Sequence, residues 1–380
     1  MNERKSNKPK KNSNLLSILL FMGIGAVCGF LIIAYLDSAA EMNKPEYLLM
    51  LLASFILIYL VVFIQIIIHE AGHLFFGLKT GYSFSSFRVG NFMWVREEGK
   101  LKLRRLSLIG TGGQCLMVPP EMEDGKFPIV LYNLGGSIFN AISATIFIGG
   151  YFLFRNIYFL SLFFLVMSIV GIAYALMNAI PMRLGAVDND GQNARSLGRN
   201  LEALRAFWVQ LKVNEAVAKG TRLKDMPEEW FELPREDAMS NSITATIAVF
   251  ATNRLMDMHE FSKAAALIDS LLETDTAMTG LHRSLMICDR IFCELLRKTD
   301  NALIEKLKSK DQIKFMKQMK NFPSVIRTEY ACSLLSEGDA VKANQAKAQF
   351  DKCARTYPYK SDIESERELM AIAGKESTDE

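Results

Sequence analysis

Three residues within five positions carry the clearest chemistry in this chain: His69, Glu70 and His73, in the run His69-Glu70-Ala71-Gly72-His73. Residues four apart on a helix share a face about one turn from each other, so both imidazoles can reach one metal ion. Glu70 falls beside that face. A carboxylate so placed can take a proton from a metal-activated water without binding the metal, which is what a general base needs. With 4 histidines and 41 acidic residues among 380, a chance match to this pattern is roughly one in two hundred. The setting narrows it further, because the three residues close an uninterrupted apolar run at 47–68. Ionisable groups at membrane depth are costly and usually functional.

Zinc held by two histidines needs a third protein ligand and keeps one position open if it is catalytic. The other two histidines, His259 and His282, lie far along the polar half of the chain. A carboxylate must therefore serve, and Asp188 and Asp190, in Ala186-Val187-Asp188-Asn189-Asp190-Gly191, are both available. Capping of a helix that starts near Gln192 is compatible with either of them binding metal.

The elements that must position these groups are apolar and helical. Runs at 15–36, 47–68, 129–154 and 157–180 are each long enough to cross a hydrocarbon core as a helix. The first exceeds the usual apolar core of a secretory signal, so it reads as a crossing and not as a cleaved leader. Arg4, Lys5, Lys8, Lys10 and Lys11 in the 1–14 tail and the Lys/Arg-bearing segment 79–128 place both on the cytosolic side. The acidic 37–46 loop then lies outside, and four crossings return the C-terminal half to the cytosol.

Between the second and third runs, Phe92–Arg96 and Lys100–Leu106 read as a β-hairpin about the turn Glu97-Glu98-Gly99. Its outer edge could hold an extended peptide, while Lys100, Lys102, Arg104 and Arg105 equally suit positive-inside topology and lipid headgroups. From about 196 onward the pattern is soluble and helical, broken at Met226-Pro227 and Leu233-Pro234. Lys263-Ala264 with Ile268, Leu271-Leu272 and Asp275, and again Ala346, Phe350, Ala354 and Pro358, have the spacing of a tetratricopeptide-repeat (TPR) helix. The expected fold is mainly α: a tail at 1–14, a four-helix membrane domain with a three-helix core and a small β-hairpin at 15–195, and a TPR-like all-α cytosolic domain at 196–380.

Net charge is +3 and no basic run outside the tail sits beside aromatic residues, which excludes a nucleic-acid surface. The cysteines, Cys28, Cys115, Cys288, Cys293, Cys332 and Cys353, form no CxxC pair and read as free thiols.

Taken in order, His69-Glu70-Ala71-Gly72-His73, Asn178-Ala179-Ile180-Pro181 and Asp190-Gly191 resemble the signatures of the site-2 protease family of intramembrane metalloproteases. The middle helix adds Gly135-Gly136-Ser137-Ile138-Phe139-Asn140, similar to that family's Gly-Pro-x-x-Asn with Gly for Pro. The resemblance spans about 47–195. It implies a Zn²⁺ site of His69, His73 and Asp190 with Glu70 as base, and a substrate or oxyanion role for Asn140 and Asn178. It also implies hydrolysis of membrane-tethered regulators or membrane-associated peptides near the cytosolic face. Two features depart from the family: the Pro181–Asp190 stretch is longer, and Asp188 competes as ligand. Other classes that fit the residues are a non-catalytic membrane scaffold whose helical domain binds a partner, and a metal-handling membrane protein. Glu70 favours the enzyme, since neither of the others needs a base beside a two-histidine site.

Overall fold

The computed structural model describes residues 44–97, 99–106, 112–184, 187–297 and 301–378, with isolated positions between 19 and 37. Only scattered positions of the expected 15–36 crossing are therefore described, and Glu98 of the hairpin turn and Cys28 lie outside the described residues. The protein is mainly helical, and its chain divides into two compact units, one of residues 1–81 and 128–199, the other of 82–127 and 200–380.

The first unit is built on α1 (Lys44–Lys79), α2 (Val130–Leu153) and α3 (Tyr158–Ala179), three helices long and apolar enough to cross a membrane. Their exposure is inverted relative to a domain that faces water. Phe55, Ile56, Tyr59, Ile146, Leu153 and Phe159 point outward at 66–78% exposure, whereas Gln65, Asn140, Ser161 and Ser168 are at most 1% exposed. Surfaces this apolar around a polar interior are compatible with a lipid surround. Inside, Gln65 Nε2 donates to the Met167 carbonyl (2.8 Å) and Ser168 Oγ to the Ala144 carbonyl (3.0 Å). Such bonds tie α1 to α3 and α3 to α2.

The chain leaves α3 at Ile180 in extended conformation ahead of Pro181. Arg183–Leu184 and Val187–Asp188 then pair as a two-residue antiparallel ribbon, and α4 (Asp190–Leu197) begins with Asn189 as its N-cap.

In the second unit, strands β1 (Ser83–Val89), β2 (Phe92–Glu97), β3 (Lys100–Arg105) and β4 (Gly113–Val118) form an antiparallel sheet in the order β3-β2-β1-β4. The expected hairpin is present, with Trp94 opposite Leu103, as half of a larger sheet. The two further strands escaped the sequence pattern because β1, Ser-Phe-Ser-Ser-Phe-Arg-Val, buries polar residues on both faces and so lacks alternation. Met93 and Leu106 share a core with Ile326, Phe350, Tyr357 and Met370, so the sheet packs against the C-terminal helices. Those helices are α5 (Leu201–Ala218), α6 (Ser242–Asp257), α7 (Phe261–Glu273), α8 (Gly280–Arg297), α9 (Asn301–Leu307), α10 (Lys310–Gln318), α11 (Pro323–Ala331), α12 (Ala340–Ala354) and α13 (Lys360–Thr378). Ala264, Ile268 and Leu271 of α7, and Ala346 and Phe350 of α12, are buried. The Pro227 and Pro234 breaks fall among short 3₁₀ turns. The five cysteines among the described residues form no disulfide with one another.

Candidate metal centre

His69 and His73 lie in the last three turns of α1, where the helical period sets them one turn apart on its buried side. Each ring is held from behind through Nδ1. For His69 the partner is Asn140 Oδ1 (2.7 Å), and for His73 it is the Tyr132 carbonyl (2.7 Å), both on α2. That leaves the two Nε2 atoms facing each other at 3.1 Å.

Asp190, at the first turn of α4, completes the cluster. Its Oδ2 stands 3.1 Å from His69 Nε2 and 3.5 Å from His73 Nε2. One donor atom from each of the three residues lies within 4.8 Å of the others, the geometry of a site that could hold a metal ion. Burial by itself disfavours the Asp190 carboxylate, yet the His73 and His69 imidazoles facing it hold its pKa well below the usual carboxylate range. Glu70, the next residue after His69, is buried at 8% exposure.

Asp188 does not join this cluster. Both of its oxygens are taken by Arg183, Nε to Oδ1 at 2.6 Å and Nη2 to Oδ2 at 3.1 Å, across the small ribbon. The carboxylate grouped with the two histidines is thus that of Asp190, and the contacts that hold the two rings come from Asn140 and the Tyr132 carbonyl. The same ribbon accounts for the long Pro181–Asp190 stretch. Asn189 N donates to the Met182 carbonyl (3.1 Å) and Met182 N donates to Asn189 Oδ1 (3.0 Å). The base of the ribbon is thus closed between Met182 and Asn189, immediately before Asp190.

Asn140 is 0% exposed, and its Nδ2 donates to the Gln65 carbonyl (3.0 Å) and to Gln65 Oε1 (2.7 Å). With Oδ1 on His69, both ends of this amide are engaged, so its geometry is that of a group orienting a ligand ring. The Asn178 side chain bonds to the Tyr174 carbonyl (3.0 Å) within its own helix, outside the His–Asp cluster.

Several contributors escaped the sequence reading. Gln65 precedes His69 by one turn, and a lone amide inside an apolar run was a legible signal of it. Asn189 has its Nδ2 on the Met177 and Ile180 carbonyls (2.7 Å each) and its Oδ1 on Gln192 N (2.9 Å), so it fastens the start of α4 to the end of α3. Counted back from Asn140, Gly136 holds the glycine position of the Gly-Pro-x-x-Asn pattern and Ser137, not a glycine, the proline position. A Cβ at Gly136 would meet the His69 ring at 2.5 Å, so only glycine lets that imidazole lie against α2. Gly191 is constrained likewise, with a Cβ falling 2.1 Å from the Ala179 carbonyl oxygen.

The chain matches no protein-family model, no curated protein and no solved structure. Its functional reading rests on this site and on the motifs that build it.

Proposed function

We propose that this protein is a multi-pass membrane zinc endopeptidase, as its resemblance to site-2 proteases implies, cutting membrane-tethered regulators or membrane-associated peptides near the cytosolic face. One observation carries the reading. Two imidazole Nε2 atoms and one carboxylate oxygen converge from α1 and α4, with both imidazoles fixed through Nδ1 and a further acid, Glu70, next in sequence to the first of them. The donor set fits zinc: two neutral nitrogens and one anionic oxygen form a three-ligand set that leaves a fourth position for water, and the Nδ1 contacts are the outer-shell bonds such ligands normally make.

Zinc bound there would act as a Lewis acid, lowering the pKa of a water toward neutrality and stabilising negative charge on the substrate carbonyl oxygen. Glu70 accepts the proton of the attacking water and returns it to the leaving nitrogen. Asn140 and the Tyr132 carbonyl keep the rings from turning, and Asn189 holds Asp190 at the depth of the histidines.

The site also supports a topology. His69 and His73 lie in the last three turns of α1 and Asp190 follows α3, which requires the C-terminal ends of those two helices to share one side. With the 15–36 run as a further crossing, charge bias puts that side, both termini and the helical unit in the cytosol. We read the helical unit as TPR-like, recruiting the substrate or a partner protein.

The decisive experiment uses Glu70→Gln. The variant should keep about one zinc per chain while cleavage falls by about 10²- to 10⁴-fold. Comparing the membrane proteomes of cells carrying either form should reveal an uncut membrane protein or peptide that accumulates in the variant. Undiminished cleavage by Glu70→Gln would sink the peptidase reading.

A further inference from the structure

The four-stranded sheet has one covered face and one open face. Side chains alternate across a strand, and residues paired directly across two strands share a face. Met93 and Val95 of β2, both 0% exposed, mark the covered side, where Met93 joins the core of Ile326 and Phe350. Phe92, Trp94 and Arg96 point the other way, and the register sets them opposite Arg105, Leu103 and Leu101 of β3. All six are exposed, the four apolar ones at 42–63%. Large apolar side chains gathered in the open on one face mark a contact surface, unlike the same residues scattered singly.

Charge and place in the chain identify what that surface meets. The six residues include two guanidinium groups and no acid. Each guanidinium lies over an aromatic ring, Arg105 over Phe92 and Arg96 over Phe84, both at 5.7 Å. Such stacking holds the charge beside the apolar patch instead of out in water. Aromatic and leucine side chains bordered by basic groups are the composition of surfaces that lie in the membrane interface, and guanidinium groups pair well with phosphate. The strand β1 begins at Ser83, four residues on from the end of α1 at Lys79, a reach of at most about 14 Å. The cytosolic leaflet, where charge bias puts this end of α1, is the anionic one.

We propose that the open face of the sheet docks on the headgroup layer of an anionic leaflet, with Phe92, Trp94, Leu101 and Leu103 entering the acyl boundary and Arg96 and Arg105 pairing with lipid phosphates. The inference rests on the reading of α1 as a membrane crossing and adds the lipid surface that the following segment binds.

The test is tryptophan fluorescence of the full chain in nanodiscs of equal parts phosphatidylcholine and phosphatidylglycerol, with and without bromine on the acyl chains. The tryptophans are Trp94, Trp208 and Trp230, so comparison with Trp94→Phe isolates the first by difference. Brominated lipid should quench the emission that Trp94→Phe removes, and should quench it far less in phosphatidylcholine alone. In Arg96→Gln/Arg105→Gln the ratio of docked to undocked sheet should fall by about fivefold for each guanidinium lost. The lipid comparison needs no arginine variant and decides the matter even where that double substitution perturbs folding. Equal quenching in the two lipids overturns the proposal. So does Trp94 emission that brominated lipid leaves intact: access to aqueous acrylamide would then show a solvated face, and protection from both quenchers a face covered by protein. Tyr59→Trp, on the exposed side of α1, separates this failure from failure of the crossing. Quenching at position 59 with none at Trp94 leaves the crossing standing while the docking falls, and quenching at neither position removes both.

Discussion

Asp188 and Asp190 are two residues apart and differ in what their removal should do. Asp190 faces both imidazoles, whereas Asp188 is spent on Arg183. Asp190→Ala should therefore abolish cleavage and strip zinc, while Asp188→Ala should leave zinc content near that of the wild type, both measurable by metal analysis of purified protein. Loss of zinc from Asp188→Ala alone would show that the metal site forms differently. A second residue-scale expectation concerns pH. The Asp362 pKa rises from 3.8 to about 7 in the folded chain because of burial and the nearby Glu366 and Asp257 carboxylates. Between those values the folded state binds more protons at this group than the unfolded state does, so stability contributed by Asp362 falls as pH rises from about 4 to about 7 and levels off above. Asp362→Asn should remove that slope from a denaturation series across this range, and an unaltered slope would show that Asp362 does not titrate this way.

The elements were legible in the sequence to different degrees, for physical reasons. Apolar length alone placed α1, α2 and α3, and the helical period placed His69 beside His73, since neither inference needs long-range contacts. The strand Ser83–Val89 was hidden because Ser85 and Ser86, on opposite faces, are both buried, and the ribbon of 183–184 with 187–188 was hidden because only the fold shows its closure between Met182 and Asn189. Gly136 was visible as a residue but not as a constraint, because the constraint is a ring on another helix that only the fold brings near. That constraint is testable. In Gly136→Ala the new methyl would press on His69 Cε1, Nδ1 and Nε2 at 2.5–2.6 Å, and the ring has no free direction while Nδ1 is bonded to Asn140. Zinc affinity should drop by about 10- to 100-fold, the range for disturbed ligand orientation. Gly149→Ala, on the same helix with nothing within 4 Å of the added carbon, is the matched control and should leave zinc affinity unchanged.

At the scale of the whole molecule, the units interleave along the chain, which passes between them near 81–82, 127–128 and 199–200. The segment 82–127 therefore belongs structurally with the C-terminal helices although it sits in sequence between two membrane-length ones. Removing residues 200–380 would take Ile326, Phe350 and Tyr357 away from Met93 and Leu106, along with the Thr356 carbonyl that accepts from Arg105 N. Each large apolar side chain so exposed forfeits about 1.5–3 kcal/mol. Truncation after residue 200 should thus open 82–127 to limited proteolysis, with nicks that the full chain resists. Zinc should stay near one per chain, because His69, His73, Asp190 and their supports Gln65, Asn140, Tyr132 and Asn189 all lie in the other unit. Slower substrate cleavage by the truncated chain would then reflect loss of the sheet as well as loss of recruitment by the helices. A sheet that stays protected after truncation would mean that 82–127 folds without its helical partner, and slowed cleavage could then be assigned to recruitment alone.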